Sequence, residues 1–246
     1  MFVAAFIAGA INSVAGGGTL VSFPALIWVG LPSTIANATS TVAIWPGSLG
    51  GVWGYRHDLP GLPRSTYALI VPSLIGGILG AVLLVLTPTA VFDRLIPLLI
   101  LFATLLFMLQ EPVQRMIKTT GKAHSGSKAW LIGAMLFQFL VSVYGGYFGA
   151  GIGILMLAAF GIMGFTDIHQ MNGLKNFLAL CINGVAAVYF IWNGMVSWPH
   201  TLVMALGAMV GAVWGVGVAR RLGAKAVRRI VIIVGFTMAI SLLFRL

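Results

Sequence analysis

The chain has 246 residues, of which 60% are hydrophobic and only 7% charged. A soluble domain of this size would expose far more apolar surface than water tolerates, and disorder needs the opposite composition. Fourteen Lys and Arg against four Asp and Glu give a net charge of +10, and most of that charge lies between apolar runs. It therefore reads as a topology signal of a multi-pass membrane protein in a lipid bilayer. A nucleic-acid partner is not expected.

In chain order, residues 1–55 hold no Asp, Glu, Lys or Arg. Within them, the short apolar pieces 2–15 and 20–30 are split by Gly16-Gly17-Gly18-Thr19. Consecutive glycines break a helix, so residues 1–31 read as a broken-helix hairpin. A signal peptide is the alternative for residues 1–15, but no basic residue precedes the apolar run. Full spans of about 20 apolar residues are predicted at 34–56, 65–87 and 90–110. A basic linker, 111–128, follows with Arg115, Lys118, Lys122 and Lys128. A second hairpin is predicted over 129–163, its pieces 129–144 and 152–163 split by the glycine-rich stretch Gly145 to Gly151. It is either re-entrant or two short spans. Further spans are predicted at 168–192, 199–219 and 226–244. The loop between the last two carries Arg220, Arg221, Lys225, Arg228 and Arg229. Both basic loops are expected on the cytoplasmic side.

The halves 1–110 and 129–246 resemble each other at an offset of 133 to 135: Gly16 and Gly18 match Gly149 and Gly151, Asn37 matches Asn172, and Gly76 and Gly80 match Gly211 and Gly215. Such self-similarity marks an internal duplication. Each half holds a hairpin and three spans. Three is odd, so the second copy is expected upside down. The expected fold is thus an all-α polytopic membrane protein of two inverted repeats. Paired broken helices in inverted repeats are the pattern of secondary transporters, with substrate at the repeat interface.

The segments Asn12-Ser-Val-Ala-Gly-Gly-Gly-Thr19, Ala36-Asn37-Ala38-Thr39-Ser40, Gly149-Ala-Gly-Ile-Gly153 and Asn172-Gly-Leu-Lys175-Asn176 resemble the TauE/SafE sulfite exporter family, the TSUP transporters. The resemblance covers nearly the whole chain. It implies transport of sulfur-containing anions, such as sulfite, sulfoacetate or other organosulfonates, across a bacterial or archaeal plasma membrane. Uptake of other small organic anions is also known in such a family, so the resemblance indicates the class better than the substrate.

The residues alone also point to an anion. A charge at membrane depth is costly and marks a functional candidate. Lys175 lies about 12 Å into its helix at 1.5 Å per residue, if Asp167 caps the start. Asn172 and Asn176 share its face. The alternative is a lysine snorkelling to the interface. No carboxylate is expected at depth, which argues against a cation passenger. The half-helices after each break would turn positive N-terminal ends into the membrane, with Gly17, Gly18, Gly149 and Gly151 admitting close backbone approach and Thr19 capping the first. Asn12, Ser13, Asn37, Thr39 and Ser40 are candidate neutral donors to the substrate. For each, an interhelical hydrogen bond is the alternative role. Pro46 is expected to kink its span, and the paired glycines to permit close helix packing. Trp53, Trp192 and Trp198 are placed as interface anchors.

No cofactor and no metal are expected. The single cysteine, Cys181, has no disulfide partner. An anion channel on the same architecture is the second function class. An intramembrane enzyme is the third and is not expected. Ser48 follows Gly47, but His57, His124, His169 and His200 fall in loops or near span ends, which leaves no nucleophile–base pair at depth.

Overall fold

The structure is a computed structural model describing residues 1–14, 16–59, 64–119, 128–163, 165, 167–222, 232–233 and 236–237. Among these are nine α-helices and no strand: α1 (Phe2–Val14), α2 (Thr19–Trp28), α3 (Ser33–Gly54), α4 (Ile70–Leu86), α5 (Thr89–Thr119), α6 (Lys128–Tyr147), α7 (Ile152–Ile162), α8 (Ile168–Trp192) and α9 (Trp198–Leu222). A 3₁₀ turn over Arg64–Leu69 leads into α4. Thr66–Leu86, Thr89–Leu109 and Ile168–Trp192 are long and apolar enough to cross a membrane. The chain is an all-α polytopic membrane protein. The predicted span 226–244 lies outside the described residues except for 232–233 and 236–237, as do residues 120–127 of the first basic loop and 223–229 of the second.

Two boundaries differ from expectation. Helix α5 runs on to Thr119, into the segment read as a linker. Gln110, Glu111, Gln114, Arg115, Met116 and Lys118 are polar or flexible but good helix formers, so winding outlasts the apolar run. In the second hairpin, Gly145 and Gly146 stay inside α6. Their lack of a side chain serves packing, because a Cβ on Gly146 would strike the carbonyl of Gly77. The break comes later, over 148–151. Pro46 sits inside α3 without ending it.

Polarity runs inward. Ser33, Thr34, Asn37, Thr39, Ser40 and Thr41 of α3 are all buried, while Leu86, Leu206 and Trp192 stand exposed. That inversion suits hydrocarbon surroundings, where polar groups must find partners inside the protein. Trp53 and Trp198 are exposed at or near helix ends, and the Arg56 guanidinium lies 4.5 Å from the Trp53 ring centroid.

The most extensive packings are α1 on α9 and α4 on α6. Each is a glycine seam. A Cβ on Gly211 would strike the Phe6 carbonyl oxygen, and one on Gly76 would lie 2.7 Å from the Phe139 carbonyl oxygen. Helix α3 then packs on α8 and α9, α4 on α8, and α5 on α7.

The α4–α6 seam has a direct test. Gly80→Val would drive its Cβ into the Val143 carbonyl, backbone that cannot step aside. A loss of roughly 3 kcal/mol or more is expected, read as a lowered Tm of the purified protein. Gly133→Ala, where nothing lies within 4 Å, should leave Tm unchanged or raise it slightly.

Candidate functional site

The two hairpin breaks meet inside the bundle. Gly16 and Gly149 both adopt positive φ, +79° and +81°, a conformation that favours glycine. Each closes the same loop: Gly16 N–H donates to the Ile11 carbonyl (3.1 Å) and Gly149 N–H to the Tyr144 carbonyl (3.1 Å). A Cβ on Gly16 would stand 2.6 Å from Gly153 Cα, so the tips are in backbone contact.

Ending a helix in the interior leaves its last carbonyls without intrahelical donors. Helix α8 supplies them for α1. Lys175 Nζ donates to the Asn12 carbonyl in a long bond of 3.5 Å, and to Asn172 Oδ1 at 3.0 Å. Asn176 Nδ2 donates to the Ser13 carbonyl at 3.2 Å. Lys175 is 1% exposed and does not snorkel to an interface. A cation here also complements the negative end of the α1 dipole. Asp167 caps α8, its Oδ1 accepting from His169 N–H at 2.8 Å.

A cavity of about 20 Å³ lies between the tips, room for about one water. Of the predicted site residues, Asn12, Ser13, Thr19, Gly149, Lys175 and Asn176 line it. Thr19 and Gly153 belong to the first turns of α2 and α7. Neither half-helix has a side-chain cap, so two positive dipole ends converge beside the ammonium. Thr19 is not the cap expected of it. Gly18 occupies that position and its N–H donates to Asn12 Oδ1 at 2.7 Å. An ammonium has three donors; two are spent on Asn12 and Asn172, leaving one for the cavity. Among the described residues, no carboxylate lines it.

The remaining predicted residues are placed elsewhere. Asn172 orients Lys175. Asn37 Nδ2 donates to the Tyr147 carbonyl (2.8 Å), Ser40 bonds Ser22 (2.6 Å), and Thr39 Oγ1 accepts from Ser197 N–H (3.0 Å). These three hold helices and loops together. A Cβ on Gly17 would strike the Phe107 ring, and one on Gly151 would meet Leu106 at 3.3 Å. Cavity residues outside the predicted set are Gly16, Ile44, Gly47, Ser48, Ile152, Gly153, Ala179 and Asn183. Ala179 and Asn183 continue the Lys175 face at spacings of four, and helical periodicity could have found them. Ile44, Gly47 and Ser48 lie on one face of α3, with no charged residue to mark it.

The family "Sulfite exporter TauE/SafE" matches residues 1–242. The chain belongs to that family. It is similar to a probable membrane transporter protein, ORF9, of Sinorhizobium sp, at 29% identity over 99% of this chain and 91% of the relative. A probable membrane transporter protein of Haemophilus influenzae is 26% identical over 99% of this chain and 93% of its own. YfcA of Escherichia coli K12, also a probable membrane transporter protein, is 26% identical over 99% and 88%. No solved structure matches the chain. Family membership makes this a membrane transporter of the TauE/SafE type.

The tip contact is testable by substitution. Gly30→Ala meets nothing within 4 Å and should cost only the left-handed backbone penalty of about 1–2 kcal/mol. Gly16→Ala adds the collision with Gly153, so its Tm should fall clearly below that of Gly30→Ala.

Proposed function

We propose that the chain is a secondary transporter that exports small sulfur-containing anions, sulfite or an organosulfonate, by alternating access. The observation that carries this reading is the buried Lys175 ammonium on a cavity that also receives the starts of two half-helices and, among the described residues, no carboxylate. A sulfonate or sulfite offers three oxygens on one centre. An ammonium, helix N-terminal N–H groups and the Asn176 and Asn183 amides suit such an acceptor. The exporter assignment rests on the family description.

Alternating access is supported by two features. The cavity is too small for a sulfite, so the tips must part for a substrate to enter. The packing of the halves also interchanges: α1–α9 corresponds to α4–α6, and α3–α9 to α4–α8, as expected of two inverted repeats. On this reading both basic loops face the cytoplasm of a bacterial or archaeal cell, and the protein sits in its plasma membrane. A cavity of only about 20 Å³ favours a carrier over an open channel. Among the described residues, no histidine joins Ser48 in the cavity lining, which favours transport over catalysis.

The test is anion flux in proteoliposomes. Lys175→Gln should lower the initial rate of labelled sulfite transport by roughly tenfold or more, because losing a buried charge partner costs on the order of 2–5 kcal/mol. Lys175→Arg should retain more flux than Lys175→Gln. Sulfite flux unchanged in Lys175→Gln, with Tm also unchanged, would remove Lys175 from the binding site. Unitary conductance steps in place of saturable flux would favour the channel.

A further inference from the structure

The two halves end their broken helices alike but neutralise them differently. The hairpins correspond at an offset of 133 and the long helices at 135. The structure repeats contacts at those offsets. Gly16 N–H bonds Ile11 and Gly149 N–H bonds Tyr144; Gly211 abuts Phe6 and Gly76 abuts Phe139.

Lys175 Nζ rests on two acceptors, the Asn12 carbonyl and Asn172 Oδ1. The same offsets turn these into the Gly145 carbonyl and Asn37 Oδ1. At the position corresponding to Lys175 stands Ser40, a neutral residue bonded to Ser22. Asn37 is fully buried, and its Oδ1 has no hydrogen-bond partner. The bond from Nδ2 to the Tyr147 carbonyl settles which amide atom is which. Of the four terminal carbonyls of α6, Tyr144 receives Phe148 and Gly149 N–H, and Tyr147 receives Asn37. Gly145 and Gly146 are the other two. A buried acceptor without a donor, beside the negative end of a helix, is an environment suited to a positive charge.

We propose that a small monovalent cation binds at the end of α6, held by Asn37 Oδ1 and the Gly145 carbonyl, where it replaces the ammonium that Lys175 supplies to the other half. Neutral oxygens select hard cations, and a site built from an amide and a backbone carbonyl, with no carboxylate in it, favours one charge over two. The chain would then hold one tethered cation and one exchangeable cation at related positions. On the transporter reading above, the exchangeable one is the coupling ion. Its binding does not depend on which anion is carried.

The experiment measures Tm of the purified protein as NaCl, LiCl or KCl replaces N-methyl-D-glucamine chloride at constant chloride. A ligand of the folded state stabilises it by mass action. A saturable rise in Tm is expected with at least one alkali cation. Asn37→Leu should abolish that rise. Ser40→Lys should raise the Tm measured without alkali cation and remove the response, since its ammonium would occupy the site. Lys175→Gln should keep the response, so loss of sulfite flux with a retained cation shift would bear on the anion site alone. No saturable shift in the natural protein with any of the three cations would overturn the proposal. So would a full response in Asn37→Leu. If Asn37→Leu does not fold, the natural protein and Ser40→Lys decide.

Discussion

Everything in this structure follows from the difficulty of ending a helix inside hydrocarbon. A helix that crosses the bilayer leaves its unpaired groups at the surface, where water takes them. Helices α1 and α6 instead stop within the bundle, at Val14 and Tyr147. Their last carbonyls need donors from elsewhere, and the side-chain donors come from the other half of the chain. Lys175 and Asn176 of α8 reach α1, and Asn37 of α3 reaches α6. Two of the groups that hold the halves together, Lys175 and Asn176, thus also line the cavity.

Close approach is the second requirement, and glycine meets it. In lipid there is no hydrophobic force between helices, so packing and hydrogen bonding must hold them. Backbone-to-backbone seams along α1–α9 and α4–α6 provide many short contacts. At the tips, Gly16 lets one hairpin touch Gly153 of the other. Small residues here do two separate jobs: extended seams set the frame, and single positions set the size of the cavity.

Much of this was legible in the sequence. Bare apolar runs mark the spans, and the glycine triplet marks the first hairpin. Lys175 was conspicuous as a charge in an uncharged stretch, and its neighbours Asn172 and Asn176 followed from helical spacing. Less legible was the division among polar residues. Asn12 and Asn176 line the cavity, whereas Asn37, Thr39 and Ser40 bond other elements. Nothing in the local pattern separates these roles, because the donor or acceptor each one meets is remote in sequence. Gly145 and Gly146 resemble a break in sequence but lie inside α6 for a related reason. A glycine that admits a neighbouring helix looks in sequence like one that interrupts its own. The linker before α6 is shorter than the apolar pattern implies, because apolarity measures where lipid ends, not where helical winding ends.

The position of Lys175 connects binding to movement. Its ammonium holds Asn172 Oδ1 at 3.0 Å but the Asn12 carbonyl at only 3.5 Å. An anion entering the cavity is a stronger acceptor than a neutral carbonyl, since charge-assisted hydrogen bonds are roughly twice as strong as neutral ones. On the proposed reading, substrate therefore draws the ammonium from Asn12 while Asn172 keeps it anchored to α8. The end of α1 then loses its donor and its favourable charge together. Asn12 also accepts from Gly18 through its side chain, so the disturbance passes across the break to the start of α2. A ligand shifts an equilibrium only by its differential affinity for the two states. Competition between substrate and the α1 terminus for one ammonium is a source of such a difference, and it acts on the hairpin whose tip abuts Gly153 of the other.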